Sequence, residues 1–193
     1  FSDTVQQRMN NWGRWLVEEI GFDGFRLDFV RGFQEAYAAS WINNLPEKDG
    51  RQRFIVGEYW GGAHRIHHWV NKMSELDAQV HAFDFPLKQV LTDLCNGDAS
   101  FDMRRLNNAG MVRNAAGHSL SGSNVVTFLE NHDTGKEHDK WVTKDWHLGY
   151  AYLLTHEGKP CVFYPHYYGV ALRDFTSGAH SVAISSGLKT EID

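Results

Sequence analysis

Three acids stand where a short apolar run gives way to polar residues. Asp28 follows Gly24-Phe25-Arg26-Leu27, Glu58 follows Phe54-Ile55-Val56-Gly57, and Asp133 ends Val125-Val126-Thr127-Phe128-Leu129-Glu130-Asn131-His132-Asp133. Arg26 lies two residues before Asp28, and residues two apart on a strand share a face. A guanidinium in that place would keep Asp28 ionised and ready to act as a nucleophile. A structural ion pair fits this stretch alone equally well, because structural pairs also perturb carboxylates. Glu58, between Gly57 and Tyr59-Trp60, sits in a less charged setting, where a raised pKa would suit a general acid. If Asp28 and Glu58 end neighbouring strands about 4.8 Å apart, their carboxyls stand roughly the 5–5.5 Å apart that cleavage of a glycosidic bond with retention requires. Asp133 with His132 would hydrogen-bond sugar hydroxyls and favour a cation-like transition state. Trp60 offers a stacking face.

The elements that must position these groups read as an alternation. Helical spacing runs from Asp3 to Ile20 through Met9, Trp12 and Leu16, and Gly21 stops it. A strand through Phe25, Leu27 and Phe29 follows, with its apolar face against helices and Arg26 and Asp28 on the inner face. Further helices are expected over Gln34–Leu45, His64–Leu76, Leu87–Cys95 and Trp146–Thr155. Further strands are expected over Phe54–Glu58, Ala82–Phe85, Val125–Leu129 and Pro160–Tyr164. Residues 96–123 are Asn-, Gly- and Ser-rich, with one helix near Phe101–Leu106, and the tail after Tyr168 is weakly patterned. Short apolar strands separated by helices are parallel βα units. A (β/α) barrel gathers its chemistry at the C-terminal ends of its strands, where these acids lie. The fold class is therefore α/β, a parallel (β/α)8 TIM barrel of which about the last five strands are present. No Gly-rich phosphate turn supports a dinucleotide fold.

The 193 residues are 42% hydrophobic and 13% aromatic, enough for a real core. The net charge of −5 without a basic block disfavours nucleic acid as a partner. No apolar run reaches the length of a membrane helix. The chain opens on Phe1-Ser2-Asp3, without a signal-like start and without Met, so excision from something longer is one reading. Cys95 and Cys161 show neither a disulfide framework nor metal spacing, and Cys161 reads as a small buried hydrophobe.

Gly24-Phe25-Arg26-Leu27-Asp28, the strand ending in Glu58, and Phe128-Leu129-Glu130-Asn131-His132-Asp133 together resemble the second, third and fourth signature regions of the α-amylase family of glycoside hydrolases. Phe83-Asp84-Phe85-Pro86-Leu87, Asn131-His132-Asp133-Thr134-Gly135 and Gly149-Tyr150-Ala151-Tyr152-Leu153-Leu154-Thr155 are similar to the plant-type and maltooligosaccharide-forming bacterial members. The resemblance covers roughly residues 10 to 168 and implies retaining hydrolysis of α-1,4-glucosidic bonds in starch and related α-glucans. It implies Asp28 as nucleophile, Glu58 as acid/base and Asp133 as the transition-state acid. Arg26 would orient the nucleophile, His132 and Arg31 would contact substrate, and the backbone carbonyl of Gly32 would face a structural Ca2+. One carbonyl is a proper calcium ligand but not a site. The family's first signature, its calcium-binding insert and its C-terminal β-domain have no counterpart here. Residues 1–193 are thus expected to be a partial catalytic barrel, strands four to eight, that pairs with the missing half or with itself. The resemblance implies secretion, although the chain shows no export signal.

Other functions stay open. An exo-acting maltooligosaccharide former or a transglycosylase shares the chemistry, and a non-catalytic α-glucan-binding module shares the fold. His64, His67 and His68 lie at helical spacing, but no acid or cysteine completes a zinc set. Asp84 and Asp93 invite an acid-pair reading, with Asp84 better read as a structural hydrogen-bonder. Lys136-Glu137-His138-Asp139-Lys140 reads as a solvated loop. Tyr164, His166, Tyr167 and Tyr168 would either line a sugar subsite or pack.

Overall fold

The computed structural model describes residues 2–97, 99–134 and 141–168, and the backbone of 172–173 and 181–182. The loop read at 136–140 lies outside the described residues. The chain divides into two units, Phe1–Phe83 and Asp84–Asp193.

The first unit runs α1 (Asp3–Glu18), β1 (Gly24–Leu27), a 3-10 turn at Val30–Gly32, α2 (Glu35–Asn43), β2 (Phe54–Gly57), α3 (Ala63–Glu75) and β3 (His81–Phe83). The strands are parallel. Leu27 of β1 stands opposite Gly57 of β2, and Gly57 opposite Ala82 of β3. Parallel strands joined by single helices need crossover connections, so the alternation read from the sequence becomes this topology directly. Ile55 and Val56 of β2 and Ile66, Trp69, Val70 and Met73 of α3 are buried core residues. At Gly57 a Cβ would lie 2.2 Å from the Trp69 ring, so glycine lets the indole close against the sheet.

β1 and α1 both depart from the expected pattern. β1 stops at Leu27, because Phe29 takes a left-handed backbone (φ 44°) that breaks the strand alternation. Nor is β1 buried. It lies at the edge of its sheet, and Phe29, Phe33, Met9 and Trp12 are all exposed. α1 ends at Glu18 and buries Gly13 and Val17, not the stripe through Met9 and Trp12.

The second unit runs α4 (Phe85–Asn96), 3-10 turns at Met103–Asn108 and Gly122–Asn124, β4 (Val125–Phe128), α5 (Trp146–Thr155), β5 (Lys159–Cys161) and α6 (Tyr164–Tyr168). The backbone of a short antiparallel pair, β6 (Leu172–Arg173) with β7 (Ser181–Val182), follows. β4 and β5 are parallel, with Phe128 opposite Cys161. Leu87, Leu91 and Cys95 of α4 pack with Leu129 and with Tyr150 and Leu153 of α5. Asp84 starts α4: its carboxylate accepts from Leu87 N at 2.8 Å, the N-cap bond that satisfies a free helix donor. That cap, with Pro86 in the first turn, is why the strand read through Phe85 ends at Phe83. β5 likewise ends at Cys161, and the Tyr-rich stretch after it forms α6. Cys161 is exposed, because β5 lies at the edge of its sheet.

Candidate active site

In the first unit the strand register sets the geometry. Because Leu27 stands opposite Gly57, Asp28 and Glu58 are the next residues on neighbouring strands. Backbone bonds carry the pairing past the strand ends: Glu58 N donates to Leu27 O at 2.9 Å, and Val30 N donates to Glu58 O at 3.2 Å. The Arg26 guanidinium lies between the two carboxylates. Its Nη1 donates to Asp28 Oδ1 at 2.7 Å. Its Nη2 lies 2.6 Å from Glu58 Oε1, an ion-pair contact without the alignment of a hydrogen bond. The Asp28 side chain is 74% exposed and that of Glu58 only 7%.

The sequence reading of Glu58 as a less charged setting is therefore corrected. Glu58 is buried, and the guanidinium expected to serve Asp28 alone serves both acids. One cation holds an oxygen of each carboxylate.

Arg31 and Trp60 meet where the loops after β1 and β2 converge. Arg31 Nη1 donates to Trp60 O at 3.3 Å, and its guanidinium lies 5.0 Å over the Phe29 ring. Trp60 is half-buried. Gly32 closes the 3-10 turn, with its N–H bonded to Phe29 O at 2.9 Å and the Phe29 ring across the space of a Cβ. Among the described residues no three His, Cys, Asp or Glu side chains come together to hold a metal. Calcium takes six to eight oxygen ligands, so the residues around Gly32 do not fit a calcium site by themselves.

His132 and Asp133 belong to the second unit, on the turn after β4. Their side chains are 59% and 38% exposed and lie 3.3 Å apart, His132 Nε2 to Asp133 Oδ2. The turn folds through Asn131, whose Oδ1 accepts from Asp133 N at 3.0 Å and Thr134 N at 2.8 Å. This is the local bonding for which Asn is favoured in turns.

Below the turn lie groups that the sequence reading passed over. The Glu130 carboxylate is buried, takes the Thr134 hydroxyl, and accepts from Val142 N at 2.9 Å. Lys88 Nζ of α4 is 3.6 Å away. Burial pushes the Glu130 carboxyl up, against the pull of Lys88. Asp84 accepts a second bond, from Met111 N at 2.7 Å, and burial pushes it up to about 6. It is the structural hydrogen-bonder expected. Asp93 pairs instead with Arg105 at 2.6 Å. Tyr164 and Tyr168 of α6 are exposed, while His166 is buried, with its Nδ1 2.9 Å from Tyr150 Oη and its ring stacked on Trp146. Burial lowers His166 to about 4.

No protein-family model matches the chain. Curated relatives do. An α-amylase of Geobacillus stearothermophilus is 33% identical over 172 residues, 86% of this chain and 30% of the relative. A probable α-amylase of Arabidopsis thaliana is 34% identical over 181 residues, 85% of this chain and 41% of the relative. A glucan 1,4-α-maltohexaosidase of Bacillus sp. (strain 707) is 32% identical, covering 86% of this chain and 31% of the relative. Over most of its length the chain is similar to members of the α-amylase family.

Solved structures agree on the fold. An α-amylase from Malbranchea cinnamomea aligns with TM-score 0.60 and 18% identity, covering 83% of this chain and 32% of that one. A cyclic α-maltosyl-(1→6)-maltose hydrolase from Arthrobacter globiformis aligns with TM-score 0.67 and 15% identity, covering 98% and 40%. The fold is a partial (β/α) barrel. The chain spans roughly a third of the length of the curated relatives it matches. Among the described residues no helix is long and apolar enough to cross a membrane.

Proposed function

We propose that the chain carries the acid pair of a retaining α-glucan hydrolase acting on α-1,4-glucosidic bonds of starch and related maltooligosaccharides. The observation that carries this reading is the shared Arg26, which keeps Asp28 and Glu58 on adjacent strand ends. In the first step the exposed Asp28 carboxylate attacks the anomeric carbon while Glu58 gives its proton to the departing glycosidic oxygen. The C–O bond to the leaving sugar breaks and a bond to Asp28 forms. In the second step Glu58 takes a proton from water, the water oxygen bonds to the anomeric carbon, and Asp28 departs as carboxylate. The asymmetry of the pair suits these parts: the nucleophile is open to substrate, and the acid/base is shielded beside it.

Asp133 and His132 supply hydrogen bonds to sugar hydroxyls that strengthen as positive charge develops. Arg31 and Trp60 line the substrate side, Trp60 through its indole face. Residues 1–193 form the barrel strands four to eight of that enzyme. The α1 and β1 face, with Met9, Trp12, Phe29 and Phe33 exposed, is where the remaining barrel strands or a second copy would pack. Calcium at the Gly32 carbonyl would need ligands from such a neighbour, and no step above depends on it.

A second reading keeps the chemistry and changes the product: an exo-acting former of maltooligosaccharides, favoured by the similarity to a maltohexaosidase. Soluble-starch hydrolysis with added calcium, beside a Glu58→Gln control, tests the main reading. Activity lost in the control supports it, and equal activity in both removes Glu58 from the reaction. Product lengths over time then separate internal from terminal attack.

A further inference from the structure

Lys88 and Glu130 form a buried ion pair that the reaction above does not use. Lys88 is 4% and Glu130 3% exposed, both within the second unit. Taking two charges out of water carries a desolvation cost that pairing offsets only in part or just balances, so such a pair is poor evidence of a contribution to stability. What it does is visible in its bonds. Each Glu130 oxygen is committed, Oε1 to the Thr134 hydroxyl and Lys88, and Oε2 to the N–H of Val142. Lys88 Nζ also donates to Thr92 Oγ1 at 2.7 Å, which fixes the ammonium on α4. The Thr134 hydroxyl, itself 1% exposed, accepts from Asn131 N at 2.9 Å. Asn131 in turn holds the N–H of Asp133 and of Thr134. A continuous run of bonds therefore leads from α4 through Glu130, Thr134 and Asn131 to the backbone of Asp133. Asp133 and His132 are the members of the turn that face outward.

We propose that Glu130 is the positioning residue for Asp133, acting through the Thr134 hydroxyl, with Lys88 as the buried counter-charge that keeps the Glu130 carboxylate in place. This rests on the reading of Asp133 as the acid that favours the transition state. Glu130 touches no substrate. It sets where the Asp133 carboxylate stands, and misplacement by about an ångström costs on the order of 10²-fold in rate.

The test uses Thr134→Val, which keeps the shape and removes the hydroxyl, Thr134→Ser, which restores it, and Asp133→Asn. Amide hydrogen exchange is followed residue by residue, together with kcat and KM on maltoheptaose. For Thr134→Val the amides of Asn131, Asp133 and Thr134 should exchange faster by about tenfold, the loss of one or two modest hydrogen bonds. Those of β4 and α4 should be unchanged. The same variant should lose about 10²-fold in kcat with KM within about threefold, and Thr134→Ser should recover both properties. Unchanged exchange in the turn, or faster exchange spread evenly over β4 and α4, overturns the proposal, and exchange reads this without any activity. Normal kcat in Thr134→Val beside an inactive Asp133→Asn also overturns it. An Asp133→Asn protein that keeps full activity instead overturns the reading of Asp133, while exchange still decides whether Glu130 clamps the turn.

Discussion

The two units use buried acids in opposite ways. In the first, Asp28 and Glu58 share one guanidinium, and the Asp28 side chain is open to solvent. In the second, Asp84 gives its oxygens to the N–H groups of Leu87 and Met111, and Glu130 gives one to Val142 N and the other to the Thr134 hydroxyl and Lys88, all of them the fold's own groups. An acid whose acceptor sites are filled by backbone donors is committed to structure. An acid held by a side-chain cation at a strand end and open to solvent, as Asp28 is, has capacity left for a substrate. Position at a strand end does not make this distinction, because Glu130 sits closer to the end of β4 than Asp133 does. The bonding makes it.

Substitutions should separate the two kinds of acid. The largest effect is expected for Asp28→Asn, which removes the nucleophile: a fall in kcat on the order of 10⁴–10⁶ with the circular dichroism spectrum unchanged. Glu58→Gln should cost about 10²–10⁴, and a substrate with a good leaving group, which needs no proton for departure, should recover much of the first step. Arg26→Met should reduce kcat by about 10² and also lower the urea midpoint, because Glu58 then stays buried without its cation. Arg26→Lys should recover little, since a single ammonium cannot present two nitrogens in a fixed plane.

The second unit should respond through stability and its dependence on pH. His166 falls from its usual 6.5 to about 4 on burial, so the stability tied to its neutral form is present above 6.5 and is lost as pH falls toward 4. Asp84 rises from 3.8 to about 6, so the stability tied to its protonated form is present below 3.8 and is lost as pH rises through 6. Each swing amounts to about 3 kcal/mol, and they oppose each other. Between pH 4 and 6 these two swings offset each other, and the raised Glu130 carboxyl leaves a net loss of stability in this unit as pH rises. Asp84→Asn should shift the protein toward weakening on acidification across that range. His166→Gln should shift it toward strengthening, and a pair of urea titrations at the two pH values checks both. The smallest effect is expected at Gly57. Gly57→Ala should cost about 1–3 kcal/mol as Trp69 is displaced from the sheet, read as a lower melting temperature and altered tryptophan fluorescence.

Much of this was legible in the sequence. The βα alternation, the five short strands and the acids beyond their ends come from periodicity and from Gly and Pro punctuation, which are local signals. The two-residue step from Arg26 to Asp28 correctly placed their contact. What the sequence could not show was non-local. Arg26 reaches Glu58 only because the register sets Leu27 against Gly57. The burial of Lys88 was hidden because a lysine on a helix ordinarily reads as solvated. Glu130 was in view within the Glu130-Asn131-His132-Asp133 run, but its role depends on Thr134 and Val142 folding back over it. The left-handed Phe29 broke a period-two pattern that otherwise read as a longer strand, since nothing in an aromatic residue announces a positive φ. The apolar positions of α1 set its period correctly but not which side would be covered.

The central claim is that Asp28 becomes covalently bound to sugar during turnover. Incubation with an activated fluoro-maltosyl substrate, followed by peptide mass spectrometry, tests this most directly. The expected result is one added fluoro-maltosyl group on the peptide containing Asp28, absent from Asp28→Asn. A label on another acid, or an equal label in Asp28→Asn, would contradict the account.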